Sequence, residues 1–474
     1  MSQAIRAQFA FTAADTGHFV RLAMTADNQV VFQTPTSVVG RYMIRREGFS
    51  ELLFKNLPAL FADWLDVALF VYLADRASLR RNKRRPDYPD QWGRAIRLRL
   101  PVRVPATWNR PRVKDCLRAL LAWMTDDEWE FEFVACGDRP GVPEQEFLFE
   151  WLGSKPRRVC LFSGGLDSFA GAVRDLAAFP AHHHVFVSGC TNGRQQHQQE
   201  KQVAELRQVF SPEITHLLVA YGIKARCDGQ AEESSQRTRG FIHLTLGAVT
   251  AKLCGMRELY LTENGIGAIN LPYNAGQVGS ANSRAVHPVT LSLMEAFVTA
   301  VTEAPFTIEN LGLFSTKGEL CTVPALAQVI HLIKETFTCD GFPNRVHGKP
   351  QCGRCTSCLL RRQALFHAGL ASADPSENYV YDLYDPVADR AFAQLRAMSA
   401  QAHRLNYWRE KGGAQLQVRF PQLRECIEVL ASRVAGGKKE VTRLIDSLFE
   451  RYAAEWLRFS GQRKVVEPEA VLAL

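Results

Sequence analysis

The sequence predicts an α/β protein built on a doubly wound parallel sheet, and three observations carry that expectation. Between residues 151 and about 370, apolar strands at 159–162, 185–188, 216–219 and 259–262 alternate with stretches of helical spacing. The first of these strands runs into a glycine-rich turn that opens directly into a helix. The flanks differ from the middle: short strands and helices mix before residue 150, and only helical periodicity persists past Asp374.

A chain of 474 residues exceeds one ordinary core, so several domains are expected. Residues 1–150 read as an α+β N-terminal domain, with strands at 30–32, 96–104 and 129–134 and helices at 57–79 and 113–123. No chemical motif marks it. Residues 151–372 form the α/β domain, and 373–474 a helical C-terminal region, clearest at 390–404 and 423–456, that packs on the core or forms a partner surface. A charged content of 22% and a hydrophobic content of 46% are those of a globular chain and exclude a disordered or fibrous one.

The longest apolar region, 57–74, carries Asp63 and Asp66 and so reads as a buried amphipathic helix, with no membrane span and no signal peptide expected. Twelve cysteines in this length do not make a disulfide scaffold, which points to a reducing, cytoplasmic setting. Part of the net charge of +8 sits in the run from Arg80 to Arg85, before Pro86. Such a run suits nucleic acid or an acidic partner. Without interleaved aromatics, a solvated loop is the preferred reading.

Ser163-Gly164-Gly165-Leu166-Asp167-Ser168 follows the apolar strand that ends at Leu161 and Phe162. Glycines let a backbone approach phosphate closely, successive N–H groups form a nest, and the helix N-terminus adds its positive dipole end. Ser163 and Ser168 add hydroxyl donors, while Asp167 orients the loop or helps hold Mg²⁺. No Gly-Lys-Ser/Thr follows a four-residue spacer, so this is not a Walker A loop. Downstream, Cys352, Cys355 and Cys358 follow at two-residue intervals, with Cys339 ahead of them. Four thiolates close a tetrahedral Zn²⁺ shell, a structural role. His347 is the rival fourth ligand, and an iron–sulfur cluster is disfavoured because no Cys-Pro ending follows.

The glycine loop resembles the PP-loop of the ATP-pyrophosphatase clan (adenine nucleotide alpha hydrolase-like fold). Together with the segment from Cys352 to Arg361, it resembles the QueC-like family, the 7-cyano-7-deazaguanine synthases, over about residues 157–369. His197-Gln198-Gln199-Glu200 is similar to that family's His-x-x-Glu, Thr238-Arg239-Gly240-Phe241 to its Gly-Arg-Asn segment, and Thr316-Lys317-Gly318-Glu319 to its Thr-Lys-x-Glu. Gln196 stands where arginine is usual and Gly240 where asparagine is, and the family's Tyr-Pro-Asp-Cys segment is not recognisable. The stretches 263–272 and 283–288 that replace it resemble the branch found in bacterial anti-phage defence systems of the Qat type.

The resemblance implies ATP, Mg²⁺ and Zn²⁺ as cofactors, with Leu161 through Ser168 gripping the nucleotide. It implies adenylation of a carboxylate, foremost 7-carboxy-7-deazaguanine, whose adenylate then reacts with ammonia or with the amino terminus of a partner protein. Arg239 would neutralise charge on the α-phosphate, its alternative being a surface ion pair. Lys317 would meet the departing pyrophosphate. Glu263 and Asn264 would read the guanine-like edge, or simply form a polar turn. His197 contacts substrate or phosphate, or caps its helix; Arg284 and His287 line the pocket. His182 to His184 read as an exposed turn before a strand. Protein partners from a defence operon and a homo-oligomer are further expectations. The rival readings are housekeeping nitrile synthesis for queuosine, tRNA thiolation through Cys190 or Cys227, and a nucleotide-sensing scaffold without catalysis.

Overall fold

Side chains of the 159–162 strand alternate between two apolar surroundings, as a strand covered on both faces requires. The computed structural model describes residues 58–80, 93–136, 155–210, 213–221, 232–273, 284–341, 348–383, 393–411 and 416–461, and the backbone of 5–10, 29–33, 41–45 and 223–226. First along the chain come β1 (Ile5–Ala10), β2 (Gln29–Gln33), β3 (Arg41–Arg45), α1 (Ala59–Ala77), β4 (Arg94–Val102), α2 (Pro105–Trp108), α3 (Pro111–Thr125) and β5 (Glu128–Ala135). The middle supplies β6 (Arg157–Leu161), α4 (Leu166–Ala178), β7 (His183–Cys190), α5 (Gly193–Val209), β8 (Ile214–Ala220), β9 (Ile223–Arg226), α6 (Arg239–Leu253) and β10 (Glu258–Leu261). Then follow α7 (Gly265–Ile269), α8 (Pro288–Thr302), β11 (Thr307–Asn310), α9 (Lys317–Cys321), a 3-10 segment (Pro324–Glu335) and α10 (Thr356–His367). Four helices end the described chain: α11 (Ala393–Glu410), α12 (Leu416–Arg419), α13 (Leu423–Ala431) and α14 (Gly437–Gly461).

The central sheet has the order β11-β10-β6-β7-β8, every neighbour parallel. Val159 faces a core shared with α6 and α8, whereas Cys160 faces Phe169 and Val173 of α4 and Val203 of α5. Helices therefore cover both faces. From β6 the chain winds outward through β7 and β8, then returns to the other side with β10 and β11. In such sheets the crevice beyond the strand ends at this reversal is where ligands sit. The glycine loop leaves β6 there.

The N-terminal segment differs from the expected α+β pattern. β1, β4 and β5 pair in parallel, in the order β1-β4-β5, because helical crossovers separate them in the chain. Every residue of α1 from Ala62 to Asp75 is buried, Asp63 and Asp66 included. Arg103 satisfies both carboxylates, at 2.8 and 2.9 Å. Trp64 and Trp108 pack on Phe297 of α8, so residues 58–136 share one apolar core with the sheet's α6–α8 face.

Two local expectations need correction. Arg80 is buried in a bidentate pair with Asp127 (2.9 and 2.7 Å) and is not part of a solvated loop; the rest of its basic run lies outside the described residues. His183 and His184 belong to β7, and His184 is buried 3.2 Å from Asp175, which also holds Arg158. The strand begins two residues earlier than its apolar run because Arg158 and His184 bring their own counter-charge inside.

At the other end, α11, α13 and α14 bury Leu405, Ile427, Phe449 and Trp456 against Ile266 and Ile269 of α7 and Leu359 of α10. Among the described residues no helix is long and apolar enough to cross a membrane.

Candidate functional site

The bend after β6 is fixed by its neighbours. Gly164 takes φ +76°, a left-handed conformation, and a Cβ there would lie 3.1 Å from Gln199. Gln199 donates to the Ser163 carbonyl (2.9 Å) and Gln202 to the Gly164 carbonyl (3.2 Å), while the Phe337 N–H also reaches Gly164 O. The loop's carbonyls are thus occupied on the α5 side. The Ser163 and Ser168 hydroxyls lie 2.9 Å apart, and Gly165 N donates to Ser163 Oγ. Gly165 caps α4 without a side chain, so the first amides of a thirteen-residue helix meet no side-chain acceptor at the cap.

Behind the loop sits a buried charge cluster. Asp167, in the first turn of α4, accepts from Lys317 Nζ at 2.6 Å and from Asn264 Nδ2 at 2.7 Å. Burial alone would raise the Asp167 pKa, but the Lys317 charge holds it below the ordinary carboxylate value. Likewise burial would lower Lys317, and Asp167 holds it above its ordinary value. Glu263, half-buried beside them, is pushed well above the carboxylate range by burial and by the Asp167 charge. Asn264 spends its side-chain oxygen capping α7, on Gly267 N at 2.9 Å.

Lys317 is the first residue of α9, which opens with a capping box between Thr316 and Glu319. The C-terminal helix locks that box. Glu455 of α14 accepts from the Thr316 hydroxyl (2.6 Å) and from Gln363 of α10 (2.8 Å), and Arg451 pairs with Glu319 at 2.6 Å.

A pocket of about 140 Å³, partly open to solvent, lies beyond the carboxyl ends of β6, β7 and β10. Its walls are mainly apolar, from Leu161, Val187, Leu244, Leu261 and Val286; its polar groups are Ser163, Ser168, His243, Thr262 and Glu263. The start of α6 forms one side and is held from the N-terminal segment. Asp75 of α1 accepts from the Thr238 backbone and hydroxyl (3.2 and 2.9 Å) and is bonded to Arg94 at 2.5 Å, which also holds Asp127. Arg239, the first residue of α6, is exposed and has no ion pair among the described residues.

Of the residues singled out in the sequence, Leu161 to Ser168, Glu263, Asn264 and Lys317 come together around this bend. His197 does not: it is exposed on α5 and lines a separate hollow with Arg194 and Lys349. Arg284 points to the N-terminal segment, donating to Asp126 (2.7 Å) and Trp123 O (2.6 Å). His287 caps α8, accepting from Val289 N. Only their neighbours Ala285 and Val286 line the pocket. Sequence reasoning missed Gln199, Gln202, His243 and Glu455. Gln199 sits inside the motif read as His-x-x-Glu and Gln202 two residues past it, and the other two carry no local signal.

The sulfurs of Cys339, Cys352, Cys355 and Cys358 all lie within 4.8 Å of one another, with Cys352 and Cys358 3.9 Å apart. Four thiolates 2.3 Å from a tetrahedral ion would stand at about 3.8 Å, so the cluster fits zinc. Backbone amides donate to three of these sulfurs: Cys352 N to Cys339, Cys355 N to Cys352 and Cys358 N to Cys355, each at 3.4 Å. His347 lies outside the described residues. From this knuckle Gln351 reaches Thr336 O (3.0 Å), and Arg361 of α10 reaches Ile333 O (2.7 Å). The cluster thereby pins the 333–339 strap that touches the glycine loop through Phe337.

Neither the protein-family models nor the curated proteins contain a match to this chain.

Proposed function

We propose that this chain is an ATP-dependent enzyme of the QueC-like, PP-loop kind that adenylates a carboxylate and passes the acyl group to an amine. The observation that carries the reading is the glycine bend at the strand reversal, with uncapped helix amides in front and the Asp167–Lys317 pair behind.

The amides of the bend and of the first turn of α4, with the two serine hydroxyls, would take the phosphates, and the apolar pocket the nucleoside. Asp167, tied to Lys317 and Asn264, would orient the loop, and magnesium, where bound, would be held chiefly by phosphate oxygens, whose charge it would neutralise. Arg239, next to Gly240 of the pocket wall and without an ion pair among the described residues, would neutralise charge developing on the α-phosphate. An oxygen of the substrate carboxylate attacks the α-phosphorus, and the bond to pyrophosphate breaks. The amine nitrogen then attacks the acyl carbon, AMP departs, and the nitrogen loses its proton. Activation by ATP supplies the driving force, so positioning is the protein's main task.

7-Carboxy-7-deazaguanine is the proposed acid, with ammonia or a partner protein's amino terminus as acceptor and an anti-phage defence system as the setting. Of the two thiolation candidates, Cys190 is buried with Leu218 and Ala220, and Cys227 lies outside the described residues. Exchange of labelled pyrophosphate into ATP, dependent on 7-carboxy-7-deazaguanine, tests the chemistry. No exchange with any acid would leave a nucleotide-sensing scaffold as the better account. Mass spectrometry of co-expressed neighbouring proteins identifies the acceptor.

A further inference from the structure

His243 lines the pocket, and the adenylation reading leaves its chemistry idle. It projects from the second turn of α6 beside Gly189, where an added Cβ would come within 2.7 Å of the imidazole. Its Nε2 lies 2.7 Å from the hydroxyl of Tyr221, and the two rings meet edge to face. Tyr221 is itself buried and backed by Tyr72 of α1 at 5.6 Å.

Hydrogen-bond bookkeeping orders the protons. The Tyr221 hydroxyl has His243 Nε2 as its acceptor among the described residues, and burial pushes its pKa well above that of an ordinary phenol, so it stays O–H and donates. Burial and the Arg239 charge push His243 down to about 3, which leaves the ring neutral. A neutral imidazole that accepts at Nε2 carries its hydrogen on Nδ1. That N–H has no acceptor among the described residues.

We infer that His243, oriented by Tyr221, is a specificity-determining residue whose Nδ1–H donates to a ring acceptor of a purine-like base in the pocket. The inference rests on the proposal that the pocket holds such a base, either the adenine of ATP or the deazaguanine acid. In an otherwise apolar slot, one fixed donor rejects a base lacking the matching acceptor, because the donor is then left dry and unpaired.

Calorimetric titration of the full chain with ATP, with 7-carboxy-7-deazaguanine, and with 1-, 3- and 7-deaza-ATP separates the cases. H243F should weaken the ligand that is read by about tenfold, the worth of one buried hydrogen bond. H243Q, which keeps an amide donor, should recover part of the loss, and Y221F should fall between. If adenine is the ligand, one deaza analogue should bind wild type as weakly as H243F binds ATP, with no further loss in H243F. Equal affinity of wild type and H243F for both ATP and the acid would overturn the inference while leaving adenylation standing. Wild type binding neither ligand would remove both.

Discussion

Lys317 Nζ stands 2.6 Å from Asp167 Oδ1, both side chains about 5% exposed, directly beneath the first turn of the helix that opens the glycine loop. Removing one partner strands the other charge in the interior, at a cost of about 3–5 kcal/mol. D167N and K317M should each lower the urea midpoint strongly, and the double variant should lose less than the sum. Each should also abolish pyrophosphate exchange.

The same pair sets a pH window. Asp167 is held below its ordinary value of 3.8, so its contribution is present above that pH and is lost as pH falls through the folded value. Lys317 is held above 10.5; its contribution is present below that pH and is lost as pH rises through the folded value. In an E263Q background, which removes the raised carboxyl beside the pair, stability of the intact pair relative to the double variant should therefore be flat between these limits and shrink outside them, measured by urea unfolding across pH.

Two glycines of the knuckle region separate backbone strain from collision. Gly353 and Gly348 both have positive φ, but a Cβ at Gly353 would lie 2.2 Å from the Tyr381 carbonyl, whereas none of the described residues comes within 4 Å of one at Gly348. G348A should cost about 1 kcal/mol. G353A should disrupt the cysteine cluster and abolish bound zinc, read by metal analysis after purification.

Zinc itself should be present at one ion per chain. C358S should lose it and, through the Gln351 and Arg361 contacts to the 333–339 strap, weaken nucleotide binding without touching the loop directly. Limited proteolysis should cut near the knuckle in this variant and in chelator-treated wild type. Unchanged protection and affinity would separate the cluster from the site.

Glu455 lies far from the loop in sequence yet holds the Thr316 hydroxyl. E455A leaves buried Thr316 and Gln363 unsatisfied, at about 1–3 kcal/mol. Because Lys317 follows Thr316, exchange should fall mainly in its maximal rate, with ATP affinity little changed. E455Q, which keeps an acceptor for Thr316, should retain more of the rate.

The parallel sheet and the glycine loop were legible because strand alternation and a six-residue motif are local signals. Lys317 could be picked out for the same reason. The N-terminal pairing was not legible: whether 94–102 and 128–135 run parallel depends on a crossover that short apolar runs do not encode. Arg80 and His184 read as solvent-facing because a buried polar side chain is recognisable only with its partners, Asp127 and Asp175, in view. Arg284 read as a pocket residue, but its partner Asp126 sits on a segment about 160 residues earlier. His243 and Glu455 belong to motifs only in three dimensions.

The site is held from both ends of the chain, Asp75 gripping the turn before α6 and Glu455 the turn before α9. A fragment cut to residues 151–372 would expose the apolar backs of α6 and α7 and release the hydroxyls of Thr238 and Thr316 to water. The outer segments are therefore the jaws of a vice around the pocket, and trimming either one should slacken it as surely as altering the loop.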